Sequence, residues 1–132
     1  MIYYCTLEKQ DDVYYVEFPD LPNVFTFGNT KDEALKMAAE ALNGVLESEI
    51  TRGIKIPFPS FTSEYPIEVE PSIAFTLMLR KKRGLQTQNE IAKKLNISYQ
   101  QYQQLENPKK ANPTLKTIAK LQKIFNYRFV NF

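Results

Sequence analysis

The charge along this chain changes sign at Pro71, and any fold it adopts has to accommodate that reversal. Up to Pro71, five basic residues (Lys9, Lys31, Lys36, Arg52 and Lys55) stand against thirteen acidic ones, a charge of −8. From Ser72 onward, twelve basic residues face only Glu90 and Glu106, a charge of +10, so the net +2 conceals the division. Adjacent segments of opposite sign indicate two modules with different partners, a polyanion for the basic one and a basic surface for the acidic one. The alternative is one fold in which the halves neutralise each other, but the pattern signals below also change at Pro71. The 132 residues therefore read as two small domains, 1–70 and 72–132, with Pro66 and Pro71 bracketing the boundary.

Composition removes several function classes. Hydrophobic residues at 43%, with 8 Tyr and 9 Phe, are enough to build cores. The chain has no histidine, which excludes Ser-His-Asp and Cys-His nucleophilic arrangements, histidine bases and histidine metal ligands. The lone Cys5 can form neither an intrachain disulfide nor a thiolate zinc cage, and reads as a small buried hydrophobe. Two-metal hydrolysis would need converging carboxylates. Here Asp11 and Asp12 fall in a turn, Asp20 in a proline loop, and Glu40, Glu47 and Glu49 on a helix without a shared inward stripe. No catalytic residue, metal site or cofactor is expected. The N-terminus lacks a basic leader, and no run approaches the roughly 18 apolar residues of a membrane span, so a cytoplasmic protein is expected.

The first module reads as α+β in the order β-β-β-α-β, a three-stranded meander covered by one helix. Strands are predicted over 2–8, 13–18 and 24–27, with 9–12 as a polar hairpin turn and a rigid proline loop at 19–23. Thr30-Lys31-Asp32-Glu33 is a capping box. It opens a helix whose apolar positions are Leu35, Ala38, Leu42, Val45, Leu46 and Ile50, with Gly53 as its stop. A fourth strand is placed at 67–69.

These residues carry a resemblance. Phe18-Pro19-Asp20-Leu21-Pro22-Asn23-Val24, Thr26-Phe27-Gly28-Asn29-Thr30, Glu33-Ala34-Leu35, Ala38-Ala39-Glu40-Ala41-Leu42 and Ile56-Pro57-Phe58-Pro59-Ser60 resemble the N-terminal domain of the HicB antitoxin family. The resemblance implies a partial RNase H-like fold that binds a small, basic, HicA-like mRNA-cleaving toxin, with Asp20, Leu21, Pro22 and Asn23 as the toxin-facing segment. Asn23 stands where the family usually has glycine, and Asn tolerates the left-handed conformation such a turn would need.

The second module reads as all-α. A helix over 72–82 ends in Arg80-Lys81-Lys82-Arg83-Gly84. Thr87-Gln88-Asn89-Glu90 is a second capping box, opening a helix with Ile91, Ala92 and Leu95 inward. After the turn at Asn96-Ile97, Ser98 caps a helix through Glu106 with Tyr102 and Leu105 inward, giving a helix-turn-helix. Pro113-Thr114 starts a last helix through Phe125, with Leu115, Ile118, Ala119, Leu121 and Ile124 as its core face. Gln88, Glu90-Ile91-Ala92, Leu95-Asn96-Ile97-Ser98, Leu105-Glu106 and Asn112-Pro113-Thr114-Leu115 resemble the lambda-repressor-like (Xre-type) DNA-binding domain, with Asn96 in place of the usual glycine. The resemblance implies a phosphate contact for Gln88, and base-reading positions at Gln100, Gln101 and Gln104 on the helix that Ser98 opens. Lys109 and Lys110 suit phosphate contact, or a solvated turn. The tail 127–132 is aromatic and β-branched. Its Tyr127, Phe129 and Val130 could pair with a second copy as an edge strand, or pack on their own domain.

The functional expectation is an antitoxin that binds a small basic toxin ribonuclease and represses its own operon on double-stranded operator DNA, as a homodimer or higher oligomer. The alternative is a transcription factor with an N-terminal sensor or dimerisation domain and no toxin partner.

Overall fold

Two adjacent residues with positive φ, Asp11 at 49° and Asp12 at 65°, close the first hairpin. This is the turn geometry that matches the natural twist of paired strands, and aspartate is among the few residues that tolerate it. In the computed structural model, which describes residues 1–130, that turn joins β1 (Ile2–Gln10) to β2 (Val13–Glu17). β3 (Phe25–Gly28) pairs antiparallel with β2, and β4 (Tyr65–Glu68) pairs antiparallel with β1, giving the order β3-β2-β1-β4. The meander is therefore extended to four strands. Val24 falls outside β3 because its amide bonds back to the Leu21 carbonyl and closes the proline loop. Asn23 has no positive φ; its side chain instead donates to Glu49, so the loop survives without a left-handed residue.

One face of the sheet is covered by α1 (Lys31–Thr51), whose N-cap Thr30 accepts the Glu33 amide at 3.1 Å. Tyr3, Cys5, Val16 and Ile67 from the sheet meet Ala34, Ala38, Leu42, Leu46 and Ile50 from the helix. Leu35 and Val45, expected inward, are only half-buried, and Ala34 and Asn43 turn inward instead. Small residues at 34 and 38 let the helix lie close to the sheet. The approach is closest at Gly28, where a Cβ would stand 2.5 Å from the Ala34 nitrogen.

Between α1 and β4 the chain has little regular structure and is held by side chains. The Tyr3 hydroxyl donates to Pro57 O at 2.6 Å, and the Ser63 hydroxyl to Cys5 O at 2.6 Å. Asn43 donates to Glu68 O at 3.2 Å and accepts the Glu70 amide at 2.8 Å, fastening α1 to the chain around the end of β4.

The chain divides into units at Met1–Glu70 and from Pro71 onward. The second unit contains α2 (Pro71–Arg83), α3 (Gln88–Leu95), α4 (Tyr99–Leu105) and α5 (Leu115–Phe125). The architecture is α+β: a mixed first unit and an all-helical second. Leu79, Ile91, Ala92, Leu95, Tyr102, Leu105 and Leu121 form the helical core, with Phe75, Ile124, Phe125 and Phe129 against it. Leu115 and Ala119, expected on the core face of α5, are exposed; the buried stripe runs through Ile118 and Leu121. Among the described residues no helix is long and apolar enough to cross a membrane, and no three His, Cys, Asp or Glu side chains converge as metal ligands.

Replacing Gly28 by Ala should destabilise the first unit by about 1 to 3 kcal/mol, because the added carbon meets backbone that cannot swing aside. Gly44→Ala should do the opposite. It lies inside α1 with nothing within 4 Å of the added carbon, and gains up to about 1 kcal/mol of helix propensity. Denaturant midpoints for the pair should move in opposite directions; a Gly28→Ala midpoint at or above that of the parent would refute the close approach.

Candidate nucleic-acid interface

The helix-turn-helix is built from local caps. Thr87 accepts the Glu90 amide at 3.1 Å and starts α3. Asn96 ends it in the left-handed conformation (φ 57°, ψ 46°), and the Ile97 amide returns to Ala92 O at 3.1 Å. Asparagine thus supplies the turn in place of glycine. Ser98 then opens α4 with a reciprocal box, its hydroxyl accepting the Gln101 amide at 3.1 Å while Gln101 Oε1 accepts the Ser98 amide at 2.9 Å.

That box changes which glutamines face outward. Tyr102 and Leu105 are buried. At 3.6 residues per turn the opposite face carries Gln100, Gln103 and Gln104, whereas Gln101 lies to the side and is engaged in the cap. Gln103, passed over in the sequence, takes the place expected for Gln101. The pattern Ser-x-x-Gln was the available signal.

Gln88, expected at a phosphate, is half-buried and donates to Glu106 Oε1 at 3.2 Å. Glu106 is the centre of the unit's polar core. Arg83 Nε lies 2.6 Å from its Oε2 and Arg83 Nη2 3.0 Å from its Oε1, while Arg83 Nη1 donates to Gln86 O at 2.9 Å. The Arg83 and Glu106 side chains are 20% and 4% exposed, so this is a largely desolvated pair. The buried Tyr102 hydroxyl adjoins it without a hydrogen bond of good geometry, and burial, with Glu106 nearby, pushes its phenol far above the ordinary range. By sequence Arg83 is one of four consecutive bases. The signal missed was that Glu106 is one of two acids among twelve bases.

Thr87, Gln88, Asn89 and Tyr99 line an open recess of about 620 Å³ between the starts of α3 and α4. Lys109 and Lys110 are exposed in a turn whose amides bond to Asn107.

Through Val130 the tail forms no strand and packs on its own unit, the second of the two readings. Phe129 packs its ring against Phe75, Phe125 and Tyr127, with centroids at 5.6, 6.3 and 5.0 Å, and Lys82 Nζ sits 4.3 Å over the Tyr127 ring. Tyr127 and Phe129 are thereby half-buried on their own unit, while Val130 is exposed. Asn131 and Phe132 lie outside the described residues.

In the first unit, the segment expected to face a toxin largely serves the fold. The Asp20 carboxylate accepts the Ser60 and Phe61 amides, both at 2.9 Å, and the Ser60 hydroxyl at 2.8 Å; these bonds hold its acid constant below the usual range. Leu21 is buried, Asn23 is bonded to Glu49, and Pro22 is exposed.

Comparison with known proteins bears on both units. The family model for the HicB_like antitoxin of bacterial toxin-antitoxin systems matches residues 3–79, and a helix-turn-helix model matches 78–132. Antitoxin HicB 1 of Photorhabdus laumondii is 33% identical over 104 residues, covering 76% of this chain and 67% of the relative. Antitoxin HicB 2 of the same organism is 35% identical over 107 residues, covering 80% and 77%. The solved N-terminal domain of Burkholderia pseudomallei antitoxin HicB is 36% identical, covers 47% of this chain and 74% of that chain, and superimposes with a TM-score of 0.43.

Glu106→Ala should cost the second unit about 3 to 5 kcal/mol by leaving Arg83 desolvated and unpaired, whereas Arg83→Met with Glu106→Leu should recover most of the loss. A single variant within about 0.5 kcal/mol of the parent chain would show that the pair is dispensable. For Asp20, a lowered native acid constant means that its stabilisation is present above the unfolded value near 3.9 and disappears as pH falls through the native value. Asp20→Ala should therefore melt earlier than the parent at neutral pH, and the two curves should converge in acid. A gap independent of pH would assign the loss to packing.

Proposed function

The chain belongs to the HicB-like antitoxin family, and on that premise we propose that it binds and neutralises a small basic mRNA-cleaving toxin through its acidic first unit and represses its own operon through its basic second unit. It is a non-enzymatic regulator with a helix-turn-helix. The observation that carries the reading is the joining of an antitoxin-type domain to a capped helix-turn-helix whose segment holds twelve bases against two acids.

On operator DNA, Gln100 and Gln104, one helical turn apart, would reach base edges together with Gln103, since an amide side chain can bond bidentately to adenine N6 and N7. Ser98 and Gln101 fix the start of that helix. Gln88 keeps a second amide hydrogen beyond the one given to Glu106, and with Lys109 and Lys110 it would position the backbone phosphates. Reading two half-sites about 34 Å apart requires a two-fold assembly, so the working species is a homodimer or larger. Tyr127 and Phe129 would contribute to it only through the part of each ring that their packing leaves exposed, whereas Val130 is exposed.

Gln104→Ala should lose about 1 to 3 kcal/mol on the chain's own upstream DNA and little on random duplex. Gln101→Ala should instead lower the thermal midpoint of the helical unit, because it removes the cap. Binding should weaken steeply with salt, by about 0.9 in log-log slope for each phosphate contacted. Equal losses on operator and random DNA for a folded Gln104→Ala would defeat base reading, and growth arrest by the neighbouring reading frame's product that this chain does not relieve would defeat the antitoxin role.

A further inference from the structure

The antitoxin reading leaves open where the toxin sits, and the first unit presents a surface suited to it. Strand pairing sets Tyr15 opposite Phe27, Glu17 opposite Phe25, Glu8 opposite Tyr15 and Ile2 opposite Glu68, so all these side chains share the sheet face turned away from α1. Phe25 is 74% exposed, Phe27 59% and Tyr15 44%, with the Tyr15 and Phe27 rings 6.3 Å apart. A neighbouring group of exposed aromatics is costly to keep in water and is the residue class that anchors protein interfaces. The charges on this face are all of one sign. Positions 2, 4, 6, 8, 10, 13, 15, 17, 25, 27, 66 and 68 include Glu8, Glu17 and Glu68 and not one Lys or Arg.

We propose that this uncovered sheet face, with Tyr15, Phe25 and Phe27 as anchors, Glu8 and Glu17 beside them and Glu68 at the far edge strand, is the docking site for the basic, RNA-binding surface of the toxin; the assignment rests on the antitoxin reading above. A protein that cleaves RNA must present cations to phosphates, and a face with three carboxylates and no cation complements that surface while repelling nucleic acid itself. A second copy of this chain fits poorly, because a two-fold contact would set two faces against each other that each carry three carboxylates and no cation. The assignment moves the contact off Asp20, Leu21 and Asn23, whose side chains hold the fold together.

The test uses the full chain co-expressed with the product of the adjacent reading frame. Phe25→Ser with Phe27→Ser should weaken the complex at least 100-fold, and Glu8→Lys with Glu17→Lys should slow association at least 10-fold and flatten its salt dependence. Glu40→Lys, a single reversal of the same kind on an exposed position of α1, should leave the complex unchanged. Thermal melts check each variant, and the charge pair keeps the test decisive if the serine pair fails to fold. A complex that survives both pairs overturns the face while leaving the antitoxin reading intact. No complex with the unaltered chain overturns that reading and this one with it. A drop in the mass of the free protein on Phe25→Ser with Phe27→Ser would place a second copy on the face and overturn the assignment.

Discussion

A recognition helix is useful only if its angle to the preceding helix is fixed, and in this chain a single carboxylate ties together the ends of the helices involved. Glu106, just past the end of α4, takes two nitrogens from Arg83 at the end of α2 and one from Gln88 at the start of α3. Arg83 also donates to the Gln86 carbonyl in the loop between α2 and α3. Four parts of the unit thus converge on one ion pair. As a source of stability such a pair is weak, since desolvating both charges offsets much of their attraction. Its contribution is directional. The apolar contacts of Leu95, Tyr102 and Leu121 tolerate small rotations, whereas a planar guanidinium meeting a carboxylate through two nitrogens does not.

The first unit meets a different demand with the same class of device. The proline-bearing stretch between α1 and β4 forms no strand before Tyr65, yet it is held against the rest of the unit. Asp20, Tyr3 and Ser63 hold it through bonds between side chain and backbone that span forty residues or more. Asn43 does the same for the chain leading out of β4. Each of these side chains satisfies a polar group that would otherwise need water, which is why this irregular stretch is ordered.

The local features were legible in the sequence. Caps at Thr30, Thr87 and Ser98 obey short spacing rules, the hairpin followed from a polar stretch between two aromatic runs, and the left-handed Asn96 followed from the shape of the turn. The features that were not legible all depend on partners distant in sequence. Asn43 lies among apolar positions of α1, and only the arrival of β4 makes it an inward residue. Leu115 and Ala119 satisfy the helical period of α5 as well as their buried neighbours do, and the period alone does not say which stripe meets the core. The tail has the composition of a strand, but the Phe75 and Phe125 rings offer it a closer place to pack. Gln101 differs in kind. Its cap is local, a Ser-x-x-Gln pattern set inside a glutamine run whose other glutamines face outward.

The division of charge at Pro71 explains why the outward face of α4 carries neutral amides and not lysines. A cation there would raise affinity for every duplex alike, because its attraction is to phosphates, and would lower the ratio of operator to random binding. An amide contributes almost nothing until it meets a base edge with matching donors and acceptors, so its effect falls almost entirely on specificity. Cations serving the proposed DNA contact are better placed beside that helix, and Lys93, Lys94, Lys109 and Lys110 are exposed on the same unit. A −8 segment in the same chain adds a repulsive term, which discourages the first unit from lying on DNA and leaves its acidic surface available to a basic protein. Under the proposed function the two partners would not compete for one surface. Capture of the toxin would then act on repression through the assembly of the complex, and not through displacement of DNA from a shared site.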